Sequence, residues 1–415
     1  VDGQRWRGIQ GNLAADEATV EIPMPVRIAP KYDDATERMI FRRHHRLARP
    51  VRRLFLLAMV ACLVIAGWSV LSSLTAPGTD TAAARIAEWA RDHGMGDLVT
   101  YLEKQQYQQN QPKIGGAPVG GIPRPAGAEP AKTPGGLPAP AALPPLAGAI
   151  ALPGEGQWQT VVTTAHGQPA VRVTNVRPDA THTSYLAGVL WIDPTFVRGQ
   201  LRPGTIDPGG TWQSATSLTA AEQQTVAAAF NAGFRLTRGS SHGGYYSEGR
   251  TAVPLQDGAA SLVLHTNGTA TVGSWNNEVR MAPDIASVRQ NLVMLVDNGK
   301  VNPACATGGQ ALWGATIGQA AYIDRSAFGT TATGAEVYVG GSALSVCTLG
   351  RILQDAGVVH GMELDINPEW ITGVYYHTQP AGPPTGFRLY PTQHPAPTHY
   401  LSPSSRDWYA WFLRG

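Results

Sequence analysis

The chain has 415 residues, 43% of them hydrophobic, with 32 Lys and Arg against 30 Asp and Glu and a net charge of +2. That length holds one large or two ordinary domains, and the apolar content is enough for a packed core. The near-neutral balance excludes the basic footprint of a nucleic-acid binder, and 47 Gly with 32 Pro exclude a chain that is globular throughout.

Residues 1–53 have few aromatics and no sustained periodicity, which predicts a disordered cytoplasmic tail with a basic end. Leu54–Leu74 is an almost uncharged apolar run. Its 21 residues span about 31 Å as a helix, the thickness of a bilayer core. More than fifty residues precede it, so a cleaved signal peptide does not fit. Arg42, Arg43, Arg46, Arg49, Arg52 and Arg53 crowd its N-terminal side, and no Lys or Arg occurs from Thr75 to Ala84. The positive-inside rule then predicts a single-pass protein of the cell membrane, N-terminus cytoplasmic and C-terminal domain outside. The basic stretch either fixes that orientation or also meets anionic headgroups.

In the segment 75–110, Ile86, Trp89, Leu98, Leu102 and Tyr107 give helical spacing, and Gly94 and Gly96 divide it into two short helices. The segment 111–154 carries eleven prolines between Gln111 and Pro153, and no Phe, Trp or Tyr. It cannot bury a core of its own, and its predicted form is an extended spacer reaching up to ~120 Å. Its expected job is to hold the following domain away from the membrane.

Residues 155–415 read as the globular part. Val161–Thr164 and Ala170–Val176 flank His166-Gly167, and Ala187–Ile192 is a further strand. Asp257-Gly258, Asn267-Gly268 and Asn298-Gly299 are hairpin signals. Thr219-Ala220-Ala221-Glu222 is a capping box, predicted to open a helix to about Phe230. Further helices are expected at Ala282–Asn291 and at Thr348–Ala356, the latter stopped by Gly357. Strands outnumber helices without regular alternation, so the fold class is α+β, a mixed β-sheet core with a few helices. Cys305 and Cys347, an even pair in an oxidising compartment, read as a disulfide; Cys62 lies in the apolar run. No CxxC, HExxH or His cluster at ligand spacing calls for a metal, and no cofactor motif stands out.

Two stretches carry chemistry. Gly239-Ser240-Ser241-His242-Gly243 satisfies G-x-S-x-G, but a loop follows where a nucleophile elbow needs a helix. The same loop carries His242, Tyr245, Tyr246 and Glu248 between glycines, and is either a binding loop or ordinary surface. From Gly361 to Asn367 the pattern alternates: Met362, Leu364 and Ile366 on one side, Glu363, Asp365 and Asn367 on the other. Pro368 ends that strand. Paired acids at a strand end suit catalysis; a solvated edge strand gives the same pattern.

Phe230-Asn231-Ala232-Gly233-Phe234 resembles the N-G-G-F signature of the phosphodiester glycosidases, relatives of the enzyme that uncovers mannose 6-phosphate by removing N-acetylglucosamine. Arg325-Ser326-Ala327-Phe328-Gly329 is similar to that family's R-T-A-I-G, and Glu363-Leu364-Asp365 to the start of its L-D-G-G-G-S. Order and spacing agree over roughly 220–370, and Ala187–Asp193 with Arg202-Pro203-Gly204-Thr205 fits as a leader strand. Where the family has glycines and Ser, this chain has Ile366-Asn367-Pro368-Glu369-Trp370, so the pocket must be reshaped. The resemblance implies a hydrolase of sugar-1-phosphodiesters or a related envelope glycan linkage. Arg325 would hold the departing phosphate, and Asp365 or Glu363 would act at the anomeric carbon. Asn231, Asn367, Glu369, Trp370, His242, Tyr245 and Glu248 would contact the carbohydrate. A non-catalytic glycan-binding or wall-organising module on the same fold is the alternative.

Overall fold

A computed structural model describes residues 34–128, 130–236, 242–379 and 381–415, over 34–50 as backbone only. The chain divides into two units, 1–68 and 69–415. Helix α1 runs from Asp34 to Leu74, so the basic stretch 34–53 is helical where a disordered tail was expected. Its segment Val51–Leu74 is long and apolar enough to cross a membrane.

Two short helices follow, α2 (Ala82–Asp92) and α3 (Gly96–Gln109). The Thr81 hydroxyl caps α2 by accepting from Ala84 N–H at 3.1 Å. Gly94, at φ +80°, makes the expected break.

The rest is mostly strand. In chain order these are β1 (Gln159–Thr163), β2 (Pro169–Val176), β3 (Ala187–Ile192), β4 (Val197–Arg202), β5 (Val226–Asn231) and β6 (Tyr245–Ser247). Then come β7 (Arg250–Val253), β8 (Ala260–His265), β9 (Ala270–Ser274), β10 (Ile285–Gln290), β11 (Met294–Asp297) and β12 (Lys300–Val301). After the short helix α4 (Gly309–Trp313) lie β13 (Ile323–Thr331), β14 (Glu336–Leu344), helix α5 (Val346–Asp355) and β15 (Val358–Glu363). Strands β16 (Gly373–His377), β17 (Thr385–Arg388) and β18 (Trp408–Leu413) close the chain. They build three sheets, ordered β1-β2-β3-β14-β13-β15-β11-β12, β7-β6-β10-β8-β9 and β17-β16-β5-β18-β4. The strand pairings are antiparallel, which confirms an α+β fold with few helices.

One aromatic cluster joins sheets. Phe230 on β5 stacks on Tyr338 of β14 and on Trp411 of β18, each at 4.4 Å between ring centres. These rings dominate a core that also takes Met362 and Leu364, the apolar face read from the alternation. β15 lies between β13 and β11, so it is an interior strand and the solvated-edge reading fails. The 187–192 strand and the turns at His166-Gly167, Asn267-Gly268 and Asn298-Gly299 stand as expected. Asp257-Gly258 is a turn, but its flanking strands β7 and β8 do not pair with each other.

Two expected helices are strands. The capping box forms: Glu222 Oε2 accepts from Thr219 N–H at 2.9 Å. It closes only the turn Glu222–Gln224, and β5 follows. Helix propensity in its alanines yields to position, because all six β5 residues are buried between β16 and β18. Ala282–Asn291 likewise holds β10, flanked by β6 and β8 and buried on both faces along most of its length, which erases the alternation that marks a strand.

The proline-rich segment is docked along the domain. Gly115 N–H donates to Thr181 O at 2.7 Å, Leu137 N–H to Asp193 Oδ2 at 2.7 Å, and Tyr375 Oη to Ala126 O at 3.1 Å. Leu143 and Leu146 are buried. At Gly127, φ +67°, a Cβ would fall 1.6 Å from His377 Cε1, so a glycine is required there. The expected free spacer is thus part of the domain's surface. Cys305 and Cys347 are bridged, with Cα atoms 5.0 Å apart, tying the N-terminus of α5 to the loop after β12. Closing 42 residues stabilises the fold by about 4 kcal/mol in the chain-entropy account.

Candidate active site

The candidate site forms where β13 begins and β15 ends. Leu364 N–H donates to Ser326 O at 2.8 Å, and Ser326 N–H to Asp365 O at 2.9 Å, so the ladder carries on past Glu363 as far as Asp365. Glu363 and Asp365 therefore project on one face. Arg325 meets Glu363 from β13: its Nη1 lies 2.5 Å from Glu363 Oε1, and its Nε donates to Leu344 O at 3.0 Å. Both partners are buried, and Glu363 Oε2 has no hydrogen-bond partner among the described residues. Burial raises the Glu363 pKa, the Asp365 charge adds to this, and Arg325 opposes it.

Asp365 Oδ1 accepts from Ile366 N–H at 2.7 Å and Asn367 N–H at 2.9 Å. Burial pushes its pKa up to about 6, against the pull of Arg406, these two amides and Arg289. Arg406 lies over the Trp370 ring, 4.6 Å from its centre. Arg289 is buried on Asp407, with Nε donating to Oδ2 at 2.6 Å, and Asp407 is raised to about 6 by burial.

The signature-like turn after β5 is built around side-chain amides. Asn291 donates to Glu363 O and Leu364 O, both at 2.9 Å, and accepts from Phe234 N–H at 3.0 Å. A Cβ on Gly233 would sit 2.8 Å from Asn291 Cγ, which explains the glycine. Asn231 donates to Ser326 Oγ at 2.9 Å and accepts from Tyr338 Oη at 2.8 Å and Thr372 N–H at 3.1 Å. It ends a strand, where a helix end was expected, and its amide is occupied in holding the fold.

The other sequence candidates are dispersed. Asn367 accepts from Glu369 N–H at 3.0 Å and shapes the turn. Glu369 faces His394 Nδ1 at 3.4 Å, which lowers its pKa. Trp370 is buried beneath Arg406. Tyr245 is buried against Trp212. Glu248 accepts from the backbone of Gln213 and Ser214, each at 2.8 Å, while His242 is exposed. Residues Gly239 to Ser241 of the G-x-S-x-G match lie outside the described residues. A rim of Trp370 with the 242–248 loop was expected; Trp370 meets Arg406, while Tyr245 and Glu248 are committed to Trp212 and to the backbone of Gln213 and Ser214. A cavity of about 320 Å³ lies elsewhere, lined by Ile122, Arg124, Gln157, Thr174 and Asn175 among others, and by none of these candidates.

Arg289, Arg406 and Asp407 escaped the sequence reading. The signal for the last two was a charged pair directly before the apolar strand Trp408–Leu413.

Residues 79–92, the approach to α2 and α2 itself, cover this face. Thr81 Oγ1 donates to Glu369 Oε2 at 2.8 Å, and Thr79 Oγ1 lies 2.6 Å from His399 Nδ1. Asp80 is packed beside Ser405 and Arg406, and burial raises its pKa. Glu88 reaches Arg406 at 3.6 Å and pairs with Arg235, which Asp92 also meets at 3.5 Å. Arg406 thus has acids on two sides, Asp365 within and Asp80 with Glu88 in the covering segment.

No protein-family model matches the chain, and no curated protein matches it. Among solved structures it is similar to the zebrafish N-acetylglucosamine-1-phosphodiester alpha-N-acetylglucosaminidase catalytic domain, auto-inhibited by its pro-peptide. The identity is 15%, over 59% of this chain and 82% of that one, with a TM-score of 0.40. A hypothetical protein from Synechocystis is 12% identical over 60% of this chain and 63% of that one, with a TM-score of 0.34. Likeness at this level transfers neither activity nor residue roles.

Proposed function

We propose that residues 155–415 form a hydrolase of a sugar-1-phosphodiester or a related cell-envelope glycan linkage. The observation that carries this reading is the buried acid pair, Glu363 gripped by Arg325 and Asp365 raised to about 6 beside Arg406. Breaking an anomeric C–O bond needs a carboxylate near the developing oxocarbenium and a cation on the departing phosphate. Asp365 serves as the base or nucleophile. Arg325 is engaged by Glu363 and by Leu344 O, so it acts by positioning Glu363. The phosphate falls to Arg406, whose guanidinium carbon lies over the Trp370 ring. This shifts the role first read for Arg325 to a residue the motifs did not include.

The alternative, a glycan-binding module without turnover, draws on the near-complete burial of Glu363 and on the replacement of the glycine-rich loop by Ile366–Trp370. A panel of sugar-1-phosphodiesters and aryl glycosides offered to the full chain in detergent micelles separates the two. Hydrolysis with preference for phosphodiesters is expected. Binding of any panel member without turnover would establish the module instead.

In this reading the chain is anchored by 51–74 with the N-terminus cytoplasmic, on the strength of the arginines before Leu54. A tag at the N-terminus should stay intact when protease is added to whole cells. Its loss while the domain at 155–415 survives overturns the orientation.

A further inference from the structure

A second cluster of chemistry lies at the other end of β15. His360 is five residues before Asp365, about 16 Å along an extended strand, so it is remote from the candidate site. It pairs across the sheet with Thr330 of β13, and its neighbour Gly361 pairs with Val296 of β11. That register sets Asp297 beside His360. The tight turn after β9 brings in Glu278 from the five-stranded sheet.

The three offered ligand atoms lie within 4.8 Å of one another. His360 Nδ1 is 3.4 Å from Asp297 Oδ1 and 3.7 Å from Glu278 Oε1. Those separations are too long for a good hydrogen bond, and Nδ1 is buried without a hydrogen-bond partner among the described residues. They match co-ligands of one ion: with metal bonds near 2.1 Å at tetrahedral angles, ligand atoms stand roughly 3.4 Å apart. Glu278 is also held from behind, its Oε2 accepting from Ser274 N–H at 2.8 Å, while Asn298 Nδ2 donates at 3.1 Å to Asp297 Oδ1, the oxygen that faces His360.

We propose that Glu278, Asp297 and His360 bind a divalent first-row transition ion, with solvent at the remaining position. An imidazole nitrogen beside two carboxylates selects such an ion over Mg²⁺ or Ca²⁺, which take oxygen ligands. The ion joins the β9 turn to β11 and β15, so it fastens the five-stranded sheet to the eight-stranded one.

The test uses the full chain in micelles, stripped with chelator and titrated with Zn²⁺ by calorimetry. A His44→Ala/His45→Ala background removes the only adjacent histidine pair in the sequence. One equivalent should bind in the micromolar range, and Co²⁺ should give the strong visible bands of a four-coordinate ion. Zn²⁺ should raise the melting temperature. His360→Ala should weaken binding roughly tenfold or more, and so should Glu278→Gln, which alters an exposed turn and leaves the strands untouched. Equal binding by all three chains overturns the proposal, as does no binding below millimolar Zn²⁺ or displacement of Zn²⁺ by equal Ca²⁺.

Discussion

Asp365→Asn should lower turnover of a sugar-1-phosphodiester roughly a thousandfold, within the range carried by a positioned acid–base group, and leave the fold intact. Asn keeps the oxygen that accepts from Ile366 and Asn367, so the turn survives. It removes the charge that faces Arg406 and Arg289. The wild-type rate should rise with pH through about 6 and level off above it, because the reactive form is the carboxylate. Stability runs the other way. The folded pKa lies above the ordinary 3.8, so the contribution of this group is fully present at low pH and is lost as pH rises through about 6. At pH 7.5 the variant should therefore melt no lower than wild type, with a gain on the order of 1–3 kcal/mol that fades toward pH 4. An unchanged rate, or a rate that falls as pH rises through 6, would show that Asp365 is not the reacting carboxylate.

That residue was legible in the sequence because a strand has a period of two. Met362 and Leu364 went to the core, and the acids between them went to the other face, as the alternation required. Ladder bonds to Ser326 then fixed both acids against β13. Long-range pairing was less legible. Arg325 and Glu363 are 38 residues apart, and Arg289 and Asp407 are 118 apart. Residue type marks such groups as candidates, but only the sheet order β13-β15 and the approach of β10 to the start of β18 make them partners.

Errors came where local preference met a buried site. Ala227, Ala228 and Ala229 favour helix in isolation, yet each is fully buried in β5, where small side chains leave room for Phe230 to stack on Trp411 with Tyr409 tilted against both. The proline-rich segment failed as a spacer for a related reason. Composition shows that it lacks a core of its own. It does not show that Leu143, Leu146 and the backbone of Gly115 and Leu137 find theirs on the domain.

Neutralising the covering segment should raise activity. In Asp80→Ala/Glu88→Ala, kcat/KM for an anionic phosphodiester is expected to increase about tenfold. The argument is one of competition for Arg406. Its guanidinium has Asp365 on the inner side and Asp80 with Glu88 on the outer side. An arriving phosphate must displace the outer pair, since Asp365 is needed for the reaction. The Glu88 pair at 3.6 Å and the nearby Asp80 charge are together worth on the order of 1–1.5 kcal/mol, which accounts for a factor of about ten. Raised salt should release part of the same effect in wild type by screening. A neutral aryl glycoside makes no claim on Arg406, so its kcat/KM should move little. Equal gains for charged and neutral substrates would mean that the segment acts as a steric cover alone. No gain for either would mean that Asp80 and Glu88 merely fasten the segment, and that substrate reaches Asp365 by another route.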